Sequence, residues 1–235
     1  MTASGAGGES VTLAGAGARR FEAWHARPDS GRGAGLLILH DMFGPGPVFR
    51  RLAAEQAARG RCALVPNLFW RSEPDVVFSY DGPHDEAWAR ARAFDSDAAV
   101  ADLRGAIAWL RRSPGCNGKV AALGFCVNGT LAFLAAAGTD IDAAIAFYAL
   151  GIAGRLDVVP RIACPVQLHY GLADAHVPQR EIDAVAQGVA ANPAIEVHRY
   201  PGAGHSFFNP VRPTFEAAAA ALAARRMDAL LDRLG

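Results

Sequence analysis

Short apolar runs of strand length alternate with helix-period segments along nearly the whole chain, and this alternation restricts the fold more than any other feature. Gly35–His40 (GLLILH) is apolar residue after residue, as a strand must be when helices cover both faces of its sheet. A helical pattern follows from Val48 to Arg59 and is closed by Gly60; Arg61–Val65 then reads as a strand stopped by Pro66. Residues 66–82 are irregular and rich in aromatic and turn residues. Helical periodicity returns from His84 to Arg112, with a break near Asp95–Asp97. The second half predicts strands at Lys119–Gly124, Ile141–Tyr148, Pro165–Tyr170 and Ile195–Tyr200. Helices are expected at Val127–Ala137 and Pro178–Ala190, and an Ala-rich one from Pro213 to Leu234. Only the opening segment through Gly17 and the run Phe21–Ala26 read as short antiparallel edge strands. The expected class is α/β, a mostly parallel sheet with helices on both faces. No shift in composition marks a linker, so residues 1–235 are expected to form a single domain.

Composition narrows the function. A chain of 235 residues, 51% of them hydrophobic, can bury a full core without metal or disulfide support. Its 23 basic and 23 acidic side chains cancel, which argues against a nucleic-acid binder and against a polybasic membrane-surface protein. The best apolar run, Ala143–Ala153, is too short to span a bilayer, and MTASGAGGES has neither the basic nor the apolar part of a secretory signal. The expectation is a soluble cytoplasmic protein, a monomer or weak homo-oligomer, acting on a small molecule without metal or organic cofactor. No two of the four cysteines have metal or redox spacing. Cys62 and Cys164 read as small core residues, and Cys116 in SPGCNGK as part of a turn.

Cys126 is set apart by its neighbours. The strand KVAALG runs into Gly124-Phe125-Cys126-Val127-Asn128-Gly129 and then into a helix of small residues, the sequence form of a nucleophile elbow with Cys in the serine position. Such a turn lifts the sulfur from the carboxyl end of the sheet to a helix N-terminus, where the dipole favours thiolate. An acid after a later strand and a His after the last one should follow. Asp174 stands in GLADAHVP after the strand Pro165–Tyr170, and His205 in PGAGHSF after Ile195–Tyr200. His205 would shuttle the proton and Asp174 would hold its tautomer. His176 is too close in sequence to Asp174 to be the base but suits the pocket wall. His169 and His198 fall inside strands, and His25 and His84 have no supporting context. The loop His40-Asp41-Met42-Phe43-Gly44 sits where this architecture takes one oxyanion amide, so the backbone N–H groups of Met42 and Val127 are the expected pair.

The chain resembles the dienelactone hydrolase family, the thiol branch of the α/β-hydrolase fold. The resemblance is collinear through HDMFG (40–44), PNLFWR (66–71), AFDSDAAVADL (93–103), NGKVAALGFCVNG (117–129) and AFYALG (146–151). It continues through GLADAHVP (171–178) and NPAIEVHRYPGAGHSF (192–207). It implies Cys126, His205 and Asp174 as a triad that hydrolyses an unsaturated lactone to an oxo-dienoic acid in the catabolism of aromatic compounds. It also implies an acidic residue linked to thiol activation in the first oxyanion loop; Asp41 occupies that position, where Glu is common. Family arginines hold a substrate carboxylate. Arg71 matches one of them, whereas Asn209 stands at the second, with Arg212 nearby but unaligned. Asn128 occupies an elbow position that is usually Gly. Phe43, Trp70, Trp88, Tyr148, Ser206 and Phe207 complete the expected substrate surroundings. Two rival readings are a broader carboxylesterase or thioesterase using the same triad on uncharged esters, and a non-catalytic binding protein on the same fold. An amidotransferase-type Cys elbow is disfavoured because Phe207 stands where its second carboxylate belongs.

Overall fold

The computed structural model describes residues 7–235 except 16, 18 and 30, so the first six residues of the expected opening strand lie outside the described residues. An antiparallel pair, β1 (Glu9–Ala14) and β2 (Arg20–Ala26), precedes β3 (Gly33–Leu39), α1 (Pro47–Ala58), β4 (Cys62–Pro66), α2 (Asp85–Arg92) and α3 (Ser96–Arg112). Then come β5 (Cys116–Phe125), α4 (Val127–Gly138), β6 (Ala143–Phe147), a kinked 3₁₀ segment at Ile152–Arg161 and β7 (Val166–Gly171). The chain closes with α5 (Gln179–Val189), β8 (Ile195–Tyr200) and α6 (Ala217–Leu231).

Among the described residues these strands form one sheet in the order β1-β2-β4-β3-β5-β6-β7-β8. β2 joins β4 antiparallel, and every pairing from β4 to β8 is parallel. All seven residues of β3 are buried, because alternate side chains enter two different cores. Leu37 and Leu39 pack with Leu103 and Ile107 of α3 and Leu131 of α4. Leu36 and Ile38 pack with Phe49 of α1 and with Met227 and Leu230 of α6. The strand order reverses between β3 and β5, whose carboxyl ends meet at Leu39 and Gly124. In open α/β sheets the crevice for ligands lies at such a switch point. Here it brings the loop after β3 against the turn after β5.

Several boundaries differ from the sequence reading, each for a tertiary reason. Cys116 is no turn residue: it opens β5, paired with Gly33 and fully buried, while the turn falls on Gly115 (φ 88°), and Gly118 (φ 94°) takes up the register shift within β5. β2 is an interior strand, since β1 covers its outer side. Tyr148 lies beyond β6 with φ 41°. Residues 213–216 precede α6, which begins at Ala217 because the Glu216 carboxylate accepts the N–H groups of Ala218 and Ala219. Among the described residues no helix is long and apolar enough to cross a membrane.

Candidate active site

A single residue separates β5 from α4. That residue is Cys126, held at φ 56° and ψ −127°, a conformation that L side chains rarely adopt and that marks a site fixed by its surroundings. The glycines beside it are sterically required. A Cβ on Gly124 would lie 2.2 Å from the Asn128 carbonyl oxygen, and one on Gly129 would lie 2.7 Å from Ala149 Cβ. Asn128 takes the place of a small residue by turning its side chain across the switch point, where Nδ2 donates to the His40 carbonyl at 2.5 Å.

The three residues expected from the loop order meet above this turn. His205 Nε2 lies 3.2 Å from Cys126 Sγ, and His205 Nδ1 lies 2.8 Å from Asp174 Oδ2. Asp174 is itself anchored, because its Oδ1 accepts the N–H groups of His176 at 2.7 Å and Val177 at 3.1 Å. The N–H groups of Val127 and Met42 both favour negative charge on the Cys126 sulfur. Burial pushes the Cys126 thiol well above its ordinary range, the negative charges of Asp41 and Asp174 add to this, and the two amides oppose it. The sulfur therefore rests protonated beside a base able to take its proton.

Asp41 does not touch the sulfur. Its Oδ1 accepts the Phe43 N–H at 2.9 Å and its Oδ2 accepts the Tyr80 hydroxyl at 2.9 Å. Burial raises its carboxyl to about 6, against the pull of those donors and of Arg212 and His205. The Asn209 side chain favours the charged form of Tyr80, while its Oδ1 accepts the Val211 N–H at 3.2 Å. The Arg212 Nη1 donates to the Tyr80 carbonyl at 3.2 Å, and its guanidinium lies 5.5 Å from the Phe43 ring centre and 5.4 Å from that of Tyr80. Phe43 also meets His84 edge-on at 4.9 Å. On the triad side, the His205 ring has His176 at 4.8 Å and Tyr148 at 5.0 Å, and Trp88 stands 5.5 Å from His176. Ser206 continues the His205 turn at φ 63°. Phe207 is fully buried behind Tyr148 and Tyr200. Among the described residues no His, Cys, Asp and Glu group is arranged to hold a metal.

Two expected residues are not brought to this cluster. Arg71 forms a two-pronged pair with Asp102 of α3, at 2.8 and 3.1 Å, and lies over the Trp70 ring at 4.2 Å. Trp70 donates to the same carboxylate and stacks on Phe21. Arg71 lines a separate cleft with Phe69, Glu73 and Phe94.

Comparison with known proteins shows the family. A model of the dienelactone hydrolase family matches residues 21–234. The chain belongs to that family. As a member it is a carboxylic-ester hydrolase. It is 36% identical over 201 residues to a carboxymethylenebutenolidase of Pseudomonas putida, covering 83% of this chain and 84% of the relative. It is 32% identical over 217 residues to carboxymethylenebutenolidase 1 of Cupriavidus pinatubonensis, covering 92% of each. The solved structure of a candidate dienelactone hydrolase from Klebsiella pneumoniae superposes with a TM-score of 0.84 at 25% identity, over 97% of this chain and 99% of that one. Sequence reasoning missed two residues of this site, Tyr80 and His84. Tyr80 and His84 come from the connection before α2, where no periodicity points a side chain anywhere.

Proposed function

We propose that this member of the dienelactone hydrolase family opens an unsaturated lactone through a thioester on Cys126, with His205 as base and acid and Asp174 as the orienting carboxylate. The observation that carries the reading is the chain of contacts from Asp174 through His205 to the Cys126 sulfur, where the Val127 and Met42 amides favour negative charge. His205 Nε2 takes the thiol proton, and the thiolate adds to the lactone carbonyl. The Met42 and Val127 amides hold the resulting oxyanion. Collapse breaks the ring C–O bond, His205 returns its proton to the leaving enolate, and the acyl group remains on sulfur. A water then gives its proton to His205 as it attacks the thioester; collapse releases the acid, and the thiolate recovers the proton. A thiol nucleophile suits enol and aryl esters, whose leaving groups depart readily. The product is an oxo-dienoic acid, and the place proposed for the reaction is the catabolism of aromatic compounds.

Carboxylate recognition is assigned to Arg212 in place of Arg71 and of an arginine at 209. Arg71 is committed to Asp102, whereas Arg212 lies over Phe43 and Tyr80 beside the Asp41 carboxylate. The commitment of Arg71 also supports a second reading, a broader esterase that turns over neutral aryl esters with the same triad. The test is a panel of cis- and trans-dienelactones and neutral aryl esters on wild type and Cys126→Ala. An acyl-enzyme in the mass spectrum of wild type and no turnover by the variant are the expected results. Turnover by Cys126→Ala would end the assignment.

A further inference from the structure

The loop after β3 holds a buried histidine for which the reaction above has no use. His40 is fully buried, with its ring 6.1 Å from that of Phe49 and 5.2 Å from that of Phe69. Its two nitrogens are committed to different peptides. Nε2 lies 3.1 Å from the backbone N–H of Leu68, so it accepts and carries no proton. The ring proton is therefore on Nδ1, which donates to the Asp41 carbonyl oxygen at 2.7 Å. Burial drives the His40 pKa down to about 3, so the ring stays neutral and keeps this tautomer at working pH.

The Asp41 carbonyl and the Met42 N–H are the two ends of one peptide plane, and in a trans peptide they point in opposite directions. A donor fixed on the oxygen therefore sets the direction of the N–H on the far side. It also draws electron density across the amide and strengthens that N–H as a donor. Neighbouring carbonyls of the loop are held as well: His40 by Asn128 Nδ2, Met42 by Arg90 Nη2 at 2.8 Å, and Phe43 by the Phe78 N–H at 2.8 Å. Of these peptides, the one between 41 and 42 carries the N–H that favours negative charge on the Cys126 sulfur.

We propose that His40 is the positioning residue of the oxyanion hole: its Nδ1–H orients and polarises the 41–42 peptide, so that the Met42 N–H meets the oxyanion formed at Cys126. The inference rests on Cys126 as nucleophile and Met42 as oxyanion donor. A ring that merely filled space between Phe49 and Phe69 would matter equally through either nitrogen, and the two functions can be separated. His40→Asn places an amide NH₂ near the Nδ1 position and gives up the Leu68 contact. His40→Gln reaches the Nε2 position, keeps an acceptor for Leu68 and loses the shorter of the two donors to the Asp41 carbonyl, leaving the Gly44 N–H at 3.3 Å.

Removing a whole oxyanion donor typically costs 10²–10³ in kcat, so losing its support in His40→Gln is expected to lower kcat about tenfold, with KM within about twofold of wild type. A trifluoromethyl ketone, which forms a thiohemiketal oxyanion on the sulfur, should weaken by the same factor. His40→Asn should hold both quantities within about threefold, on the same scale for donor loss. Equal losses in the two variants, a loss confined to KM, or unchanged ketone affinity in His40→Gln would overturn the proposal. Nitrogen NMR of the wild-type enzyme tests it without any variant: the Nδ1–H tautomer is expected, and an Nε2–H tautomer would overturn it. Failure of the nucleophile assignment is seen separately, as turnover by Cys126→Ala.

Discussion

Two thiol–imidazole pairs in this molecule have the same Sγ–Nε2 separation, 3.2 Å: Cys126 with His205 and Cys62 with His25. Each imidazole also faces a carboxylate through Nδ1, Asp174 at 2.8 Å in the first case and Glu9 at 3.8 Å in the second. By residue type and contact alone both are Cys-His-acid triads. Their surroundings separate them. Cys126 sits at the carboxyl end of β5 on a strained turn, where the Val127 and Met42 amides favour negative charge on its sulfur. Cys62 opens β4 at the opposite end of the sheet, fully buried, with the Pro114 carbonyl 3.8 Å from its sulfur, and burial pushes its thiol up to about 12. Asp174 has no exposed side-chain surface, whereas Glu9 is 63% exposed, so water screens the second ion pair. Proximity of thiol and imidazole does not by itself make a nucleophile. An attacking sulfur also needs a crevice to point into and donors for the charge it creates.

The largest expected effect breaks the comparison outright. Cys126→Ala should lower turnover by about 10³-fold or more, since a covalent step is lost, while Cys62→Ala should leave kcat within about twofold and cost only about 1–3 kcal/mol of stability. Steady-state rates and denaturant melts on both variants check this; a large kcat loss in Cys62→Ala would mean that the buried pair takes part in the chemistry. Next in size, Asp174→Asn should cost about 10²–10⁴ in kcat by releasing the His205 tautomer, whereas Glu9→Gln should change nothing measurable.

Asp41 has no counterpart beside Cys62 and adds a pH signature. Its folded pKa of about 6 is above the ordinary 3.8, so the folded state holds the proton more tightly than the unfolded chain. Its contribution to stability is complete below 3.8, is lost as pH rises toward about 6, and is flat above that, a change of up to about 3 kcal/mol. Asp41→Asn should remove that segment from a plot of unfolding free energy against pH; the same slope in wild type and variant would show that Asp41 is ionised throughout. The smallest effect concerns substrate charge: Arg212→Ala should raise KM about tenfold for a carboxylated lactone and leave a neutral aryl ester within about twofold. Equal changes on both substrates would return Arg212 to a purely structural part.

The contrast between the two cysteines was partly visible in the chain itself. Cys126 was set apart by Gly124 and Gly129, whose lack of a side chain lets β5 and α4 approach, and such turn chemistry is local. Asp174 and His205 were found the same way, from their loops after β7 and β8. His25 gave no sign of its partner, because the contact with Cys62 joins two strands that are brought together only when β2 pairs with β4. Arg71 looked suited to a substrate carboxylate, and nothing near it in sequence announced Asp102, 31 residues on. Cys116 stood among Pro, Gly and Asn, which signal a turn, yet pairing with Gly33 extended the strand through it.

The α/β class, the strand–helix order and the succession of Cys, Asp and His were thus determined by the sequence alone, because hydrophobic period and turn residues act over a few neighbours. The tertiary structure decided which groups meet: Tyr80 on Asp41 and Leu68 on His40 beside the switch point, and Asp102 on Arg71 away from it. Those partners lie 28 to 39 residues apart in the chain. Their contacts depend on how whole elements cross the sheet, which no local preference encodes.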